Sequence, residues 1–302
     1  MRIELRGVTK RFGEVFALHD LTLDLPSGAQ VGLVGPNGSG KSTLLRILMG
    51  LIRAEGRVRL DGRDPLTDRA LLAPRIAYVP QISPQLAAPV REVVRAIADV
   101  RGIEASAIQE AASRLDLDLE EVRDRSFRGL SGGMRHKLLL SIALASPVSL
   151  LVLDEPTASL DAETRERFLH ACADAMVEST LLLCSHRIEE MRHLVTHVVA
   201  LREGKLAYEG PAADYLEQKA LSMLQVCVAT DEPGSWLAGR GFSHGADGWW
   251  ARTVTHQEKV SLLPELATHF GSELRDVQIH EVERVDAGGE HDGSGRQAGH
   301  HA

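Results

Sequence analysis

Cysteine is rare in this chain of 302 residues. Cys172, Cys184 and Cys227 are far apart and odd in number. That excludes a disulfide framework and the paired spacing of a zinc site, and leaves buried thiols in a reduced compartment as the expectation. Basic residues are outnumbered. Against 42 Asp and Glu there are 34 Lys and Arg, a net charge of −8. Nucleic acid is therefore not expected as the main partner, because phosphate backbones are gripped by concentrated positive charge. Long apolar runs are missing too. The uncharged stretch 138–153 contains Ser141, Ser146, Pro147 and Ser149 and is too short to cross a bilayer. It reads as the end of a buried helix, a turn at Pro147 and a buried strand, so any work at a membrane is expected to run through a partner. The opening Met1-Arg2-Ile3-Glu4-Leu5-Arg6 is charged and holds no secretory core. Aromatics amount to 4%, while 44% hydrophobic and 25% charged residues make an ordinary globular composition. The length allows one large domain with a sizeable core and a small second one.

What is present is led by Gly35-Pro36-Asn37-Gly38-Ser39-Gly40-Lys41-Ser42, followed by Thr43. This fits G-x-x-x-x-G-K-[ST], the phosphate-binding loop of nucleotide hydrolases. An apolar strand precedes it (residues 30–34) and a helical pattern follows (residues 43–49), the context that separates a real phosphate loop from a Gly-rich turn with a stray lysine. Glycines let main-chain N–H groups converge on an anion, and a helix N-terminus favours negative charge. Lys41 can reach the outer phosphates, and the Ser42 hydroxyl can bind Mg²⁺.

The rest of the pattern predicts an α/β fold. Residues 1–25 read as antiparallel strands, 56–62 and 76–81 as further short strands. The period turns helical from Val90 to about Val122. Parallel α/β texture returns at 150–153 and 180–184, and 197–201 pairs with 205–209 as a hairpin about Arg202-Glu203-Gly204. Beyond residue 221 three strands are expected (224–229, 248–254 and 275–282), with a helix at 260–270 interrupted early by Pro264. The expected division is a nucleotide-binding unit over 1–220 with a helical lobe at about 84–145, a small α+β domain over 221–285, and a disordered tail over 286–302. His291, His300 and His301 in that tail read as a solvated segment rather than a metal site.

Two further motifs narrow the chemistry. Leu150-Leu151-Val152-Leu153-Asp154-Glu155 is an apolar strand ending in two carboxylates, and such a terminus belongs at the carboxyl edge of a parallel sheet, where ligands bind. Asp154 is placed for Mg²⁺. Glu155, expected on the opposite side by strand alternation, could polarise the attacking water. Leu130-Ser131-Gly132-Gly133-Met134 opens a helix and forms a second anion-binding terminus. One nucleotide does not need two such loops on one chain. The economical reading is two chains face to face, each serine–glycine loop closing over the other's nucleotide.

Over residues 1–220 the chain resembles the nucleotide-binding subunit of an ABC transporter, of exporter type with a small C-terminal domain. The resemblance implies a P-loop NTPase core with a parallel sheet flanked by helices, an N-terminal antiparallel β subdomain and a helical lobe. It implies ATP and Mg²⁺ as ligands and ATP hydrolysis as the reaction. Residues 35–43 then contact the phosphates, with Gln81 sensing Mg²⁺ and the membrane partner. Ser131 and Gly133 reach across to the opposing nucleotide, Ser159-Leu160-Asp161 crosses the dimer interface, and His186 is the switch histidine near the γ-phosphate. Phe12 is the adenine-stacking residue, with Phe16 as its competitor. The catalytic set is Glu155, His186 and Lys41, and the metal set is Ser42, Gln81 and Asp154. The implied partners are a separate transmembrane permease and a second ATPase chain, identical or related, which makes the protein cytoplasmic and peripheral on the inner face of the membrane. Met134 stands where the family more often has glutamine, and Phe12 where tyrosine is common. A soluble ATPase of this type acting on nucleic acid or ribosomes would carry two cores or a long coiled-coil insertion, and this chain has one phosphate loop and an acidic balance. A regulatory switch without transport would not need Glu155 and the signature loop, which the resemblance places at residues 130–134, intact.

Overall fold

The computed structural model describes residues 1–176, 179–219, 221–229, 234–245 and 248–281. The tail expected over 286–302, with its three histidines, lies outside the described residues.

Uninterrupted apolar runs build the central sheet. β3 (Gln30–Val34), β5 (Ile76–Val79), β6 (Leu150–Asp154), β7 (Thr180–Cys184) and β8 (His197–Arg202) run parallel. β9 (Lys205–Pro211) adds antiparallel to β8, giving six strands in the order β5-β6-β7-β3-β8-β9. β6 shows why such runs need no polar alternation: Leu150 and Val152 enter one hydrophobic core, Leu151 and Leu153 the other. Glu203 and Gly204 both have positive φ, 51° and 74°, as a two-residue turn between twisted strands requires.

Each face of the sheet is covered. On one side lie α7 (Ala162–Ala175), α8 (Ile188–Leu194) and α9 (Ala212–Lys219), packed through Phe168, Met191 and Tyr215. On the other lie α1 (Lys41–Leu48), the short α2 (Arg69–Leu72) and an antiparallel sheet in the order β2-β1-β4. Its strands are β1 (Ile3–Phe12), β2 (Val15–Leu25) and β4 (Glu55–Leu60). A third core, centred on Phe127 and Ile108, belongs to α3 (Val90–Arg101), α4 (Ala105–Arg114), α5 (Leu119–Val122) and α6 (Gly132–Ala145). α3 stops at Gly102, whose φ of 64° makes a left-handed cap.

Beyond α9 the strands β10 (Leu221–Val228), β11 (Ser243–His244), β12 (Trp249–Thr255) and β13 (Leu274–Glu281) form a separate antiparallel sheet in the order β11-β12-β10-β13. Helices α10 (Gly234–Gly239) and α11 (His256–Phe270) cover one face around Leu224, Val226, Trp250 and Leu266. Two sequence expectations need correction here. α11 begins at His256, not Val260, because Thr255 and Glu258 form a reciprocal capping box. It also runs on through Pro264, which lacks the N–H that the Val260 carbonyl would otherwise accept from. α10 and β11 were not expected from the pattern. Cys172 and Cys184 are buried, as expected of structural thiols, whereas Cys227 is half-buried on the sheet face away from the helices. Among the described residues no helix is long and apolar enough to cross a membrane.

Candidate active site

β3, β5, β6 and β7 are parallel neighbours in the sheet, so the loops that follow them leave from one edge. The loop after β3 is shaped by glycine. Gly35, Gly38 and Gly40 have φ of 150°, 82° and 106°. A Cβ on Gly40 would stand 2.4 Å from the Ala17 carbonyl oxygen, and one on Gly35 2.3 Å from that of Leu201, so the loop is closely clasped by the neighbouring strands. Gly40 is also the N-cap of α1 and offers no capping side chain. The first intrahelical bond is Leu44 N–H to Gly40 O, 2.9 Å, which leaves the N–H groups of Lys41, Ser42 and Thr43 without helical acceptors. Lys41 folds back over the loop, its Nζ donating to Gly35 O (2.5 Å) and Pro36 O (3.1 Å). Pro36, Asn37, Gly38 and Ser42 are exposed, while Ser39 is buried and its hydroxyl has no hydrogen-bond partner. A ring of unpaired donors around a lysine fits a polyphosphate.

Across the same edge, Asp154 ends β6. Burial raises its carboxyl above the ordinary range and the neighbouring Glu155 raises it further, against the pull of Tyr78, Lys41 and Arg46. Tyr78 Oη donates to Asp154 Oδ2 at 3.4 Å, and the phenol is pushed up to about 12 by burial and then by that carboxylate. A half-buried carboxylate with too little positive charge near it is the donor set that a hard divalent cation satisfies. Glu155 departs from expectation in backbone rather than place. It is not an alternating strand residue but a left-handed turn residue, φ 50°, just past the end of β6, and its N–H still donates across to Cys184 O at 2.8 Å. Its Oε1 lies 2.9 Å from His186 Nδ1, which follows β7. The adjoining Pro156 carbonyl meets the buried His136 Nε2 of α6 at 2.5 Å.

The remaining sequence-predicted residues lie as follows. Gln81 follows β5 and is exposed. Ser131 is exposed and caps α6, its Oγ accepting from Met134 N–H at 3.2 Å. Gly133 opens that helix with the Ser159 carbonyl 3.3 Å from where its Cβ would be. Asp161 caps α7, accepting from Thr164 N–H (2.8 Å) and Thr164 Oγ1 (2.9 Å), bonds that hold its carboxyl below the ordinary range. Phe12 and Phe16 are both exposed at the tip of the β1–β2 hairpin, 52% and 42%. Phe16 stacks on His19 with centroids 4.7 Å apart and carries the Arg11 guanidinium at 4.7 Å, whereas Lys10 Nζ lies 5.1 Å from the centre of the Phe12 ring.

A family model described as ABC transporter matches residues 18–158. The Nod factor export ATP-binding protein I of Cupriavidus pinatubonensis is 34% identical over 225 residues, an alignment spanning 72% of this chain and 68% of that protein. The chain belongs to the ABC transporter family. The sulfate/thiosulfate import ATP-binding protein CysA of Burkholderia mallei is another relative of this ABC chain, 32% identical over 270 residues, 82% of it and 73% of the relative. Against the human ATP-binding cassette sub-family A member 10, 33% identical, the chain spans only 15% of the relative's length. Among solved structures, a dimeric post-hydrolysis state of an ATP-binding cassette with ADP and Pi bound superimposes with a TM-score of 0.61 at 26% identity, covering 70% of this chain and 98% of the other. The architecture is that of an ABC ATPase, and ATP binding with ATP hydrolysis is the activity of this ABC module.

Four residues at the ABC site escaped sequence reasoning: Tyr78, His136, Thr157 and Glu190. Tyr78 looks like one more apolar strand residue, and the other three read as ordinary members of helices or turns. Their contacts join segments distant in sequence, and no local pattern announces such contacts.

Proposed function

We propose that this chain is the ATP-hydrolysing subunit of a membrane transporter, and that it works as a face-to-face pair acting on a separate transmembrane permease. The observation that carries this reading is the presence, on one chain, of two helix starts suited to anions: the uncapped α1 that opens with Lys41, and α6 behind Ser131. ABC ATPase domains dimerise and work with membrane subunits, and a paired arrangement gives the second helix start a ligand.

Lys41 exchanges its two loop carbonyls for β- and γ-phosphate oxygens, and the amides of residues 35–43 complete the cradle. Mg²⁺, held by Ser42, Gln81 and Asp154, would neutralise developing charge on the phosphates. Glu155 accepts the proton of the attacking water and His186 keeps its carboxylate aimed. Ser131 and Gly133 of the facing chain close over the γ-phosphate, with Asp161 at the interface. Phe12, the less covered of the two hairpin aromatics, stacks on adenine. Residues 1–220 form the working unit, with the helical lobe at about 84–145, and residues 221–285 are a distinct accessory domain. Export is the direction favoured by Met134 and that accessory domain. The relatives include one named for export and one named for import, and transport assays of the reconstituted complex decide between them. The location that follows is cytoplasmic, on the inner membrane face through the permease.

Co-purification from membranes tests the proposal. A multi-span subunit whose presence stimulates ATP hydrolysis is the expected result. Recovery of ribosomes or RNA in its place, with no membrane subunit, contradicts it.

A further inference from the structure

Glu190 has no part in the chemistry above, yet burying a carboxylate is costly unless its oxygens are used. Among the described residues it is the only carboxylate withdrawn into the interior, 1% exposed. It lies on α8, whose first turn follows directly from His186 and Arg187. Its Oε1 meets the hydroxyl of Thr157, itself fully buried, and stands 3.9 Å from Arg187 Nε; its Oε2 has no hydrogen-bond partner. Burial raises the Glu190 carboxyl, and the hydroxyls of Ser185 and Thr157 pull it back. Thr157 belongs to the turn that carries Glu155, in which Ala158 N–H donates to Glu155 O at 3.3 Å and Leu160 N–H to Thr157 O at 3.0 Å.

That turn needs holding. A left-handed glutamate costs free energy that the surroundings must offset, and Glu155 sits at φ 50°. The Thr157–Glu190 contact joins the loop after β6 to the helix after β7, directly behind the Glu155–His186 pair. We propose that Glu190 is a positioning residue: by clamping Thr157 to the start of α8 it holds the turn of Glu155 against the loop of His186 and keeps the two side chains paired. The proposal rests on the reading of Glu155 as the residue that activates water.

Steady-state ATP hydrolysis of Glu190→Ala, Glu190→Gln and Thr157→Val, each alone and combined with His186→Ala, tests it. Glu190→Ala and Thr157→Val are expected to lower kcat about tenfold or more while KM for ATP stays within about twofold, because geometry is lost and nucleotide binding is not. Glu190→Gln keeps an oxygen for the Thr157 hydroxyl and is expected within about threefold of wild type. Combined with His186→Ala, the Ala and Val changes should cost less than about twofold more, since the pair they serve is already broken. An unchanged kcat, or losses that multiply undiminished in the His186→Ala background, overturns the proposal. Should Glu190→Ala fail to fold, Thr157→Val carries the comparison, since it removes the hydroxyl and keeps the shape. Glu155→Gln separates the two levels. If it is inactive while Glu190→Ala and Thr157→Val are normal, only the positioning role falls; if it hydrolyses ATP at the wild-type rate, both readings fall.

Discussion

Lys41 makes its two hydrogen bonds to backbone carbonyls of its own loop, neutral partners that anionic phosphate oxygens replace because both members of the new pair are charged. Lys41→Ala is therefore expected to lose ATP affinity by about tenfold or more, measured by equilibrium titration; unchanged affinity would contradict the loop assignment. Glu155 has a different duty. Glu155→Gln keeps the shape and the hydrogen bond to His186 but cannot take a proton, so hydrolysis should fall by about a hundredfold while ATP binding stays intact, as separate turnover and binding measurements will show. At this scale the motifs can be read from the sequence, because phosphate chemistry demands particular residue types at particular spacings, and the two variants test the roles assigned to them. The left-handed backbone of Glu155 was not legible, since alternation along β6 predicts an extended residue and nothing in the local pattern marks the turn that begins there.

Elements carry these residues, and the contact between α6 and the turn after β6 makes a pH-dependent element. Burial lowers the His136 imidazole below its ordinary value, opposed by the bond to Pro156 O. The neutral ring donates through Nε2. A lowered folded pKa means that this stability is present above the unfolded value of about 6.5 and is lost as pH falls through the folded one. Replacing His136 by Gln is therefore expected to flatten the decline in thermal stability below about pH 6.5, followed by scanning calorimetry; an unchanged decline would assign the pH dependence elsewhere. Packing makes a second expectation. Phe168 of α7 is fully buried against the sheet, and Phe168→Ala should cost about 3–5 kcal/mol in chemical denaturation. Elements were legible where an apolar run was unbroken, as in β6, or where a helical period was sustained, as in α3 and α4. α10 and β11, a six-residue helix and a two-residue strand, are too short to show a period. The start of α11 was missed because the capping box at Thr255 and Glu258 precedes the apolar stripe.

For the whole molecule, the parallel sheet brings four loops to one edge, while α6 presents Ser131 on the helical lobe. The lobe has its own core around Phe127, but its Leu115, Leu140 and Ala143 also pack into the core of the sheet, and the contact between His136 and the Pro156 carbonyl ties α6 to the turn that carries Glu155. The proposed pairing of two chains rests on counting helix starts suited to anions, since nothing local in a sequence announces an interface made by a second copy. The most direct measurement of that pairing mixes two variants, Lys41→Ala and Ser131→Ala, each impaired at both sites of its own dimer. Mixed dimers contain one intact site, with Lys41 from one chain and Ser131 from the other, so mixing is expected to restore ATP hydrolysis that neither variant shows alone. Hydrolysis by Ser131→Ala alone at the full wild-type rate would contradict a site shared between chains.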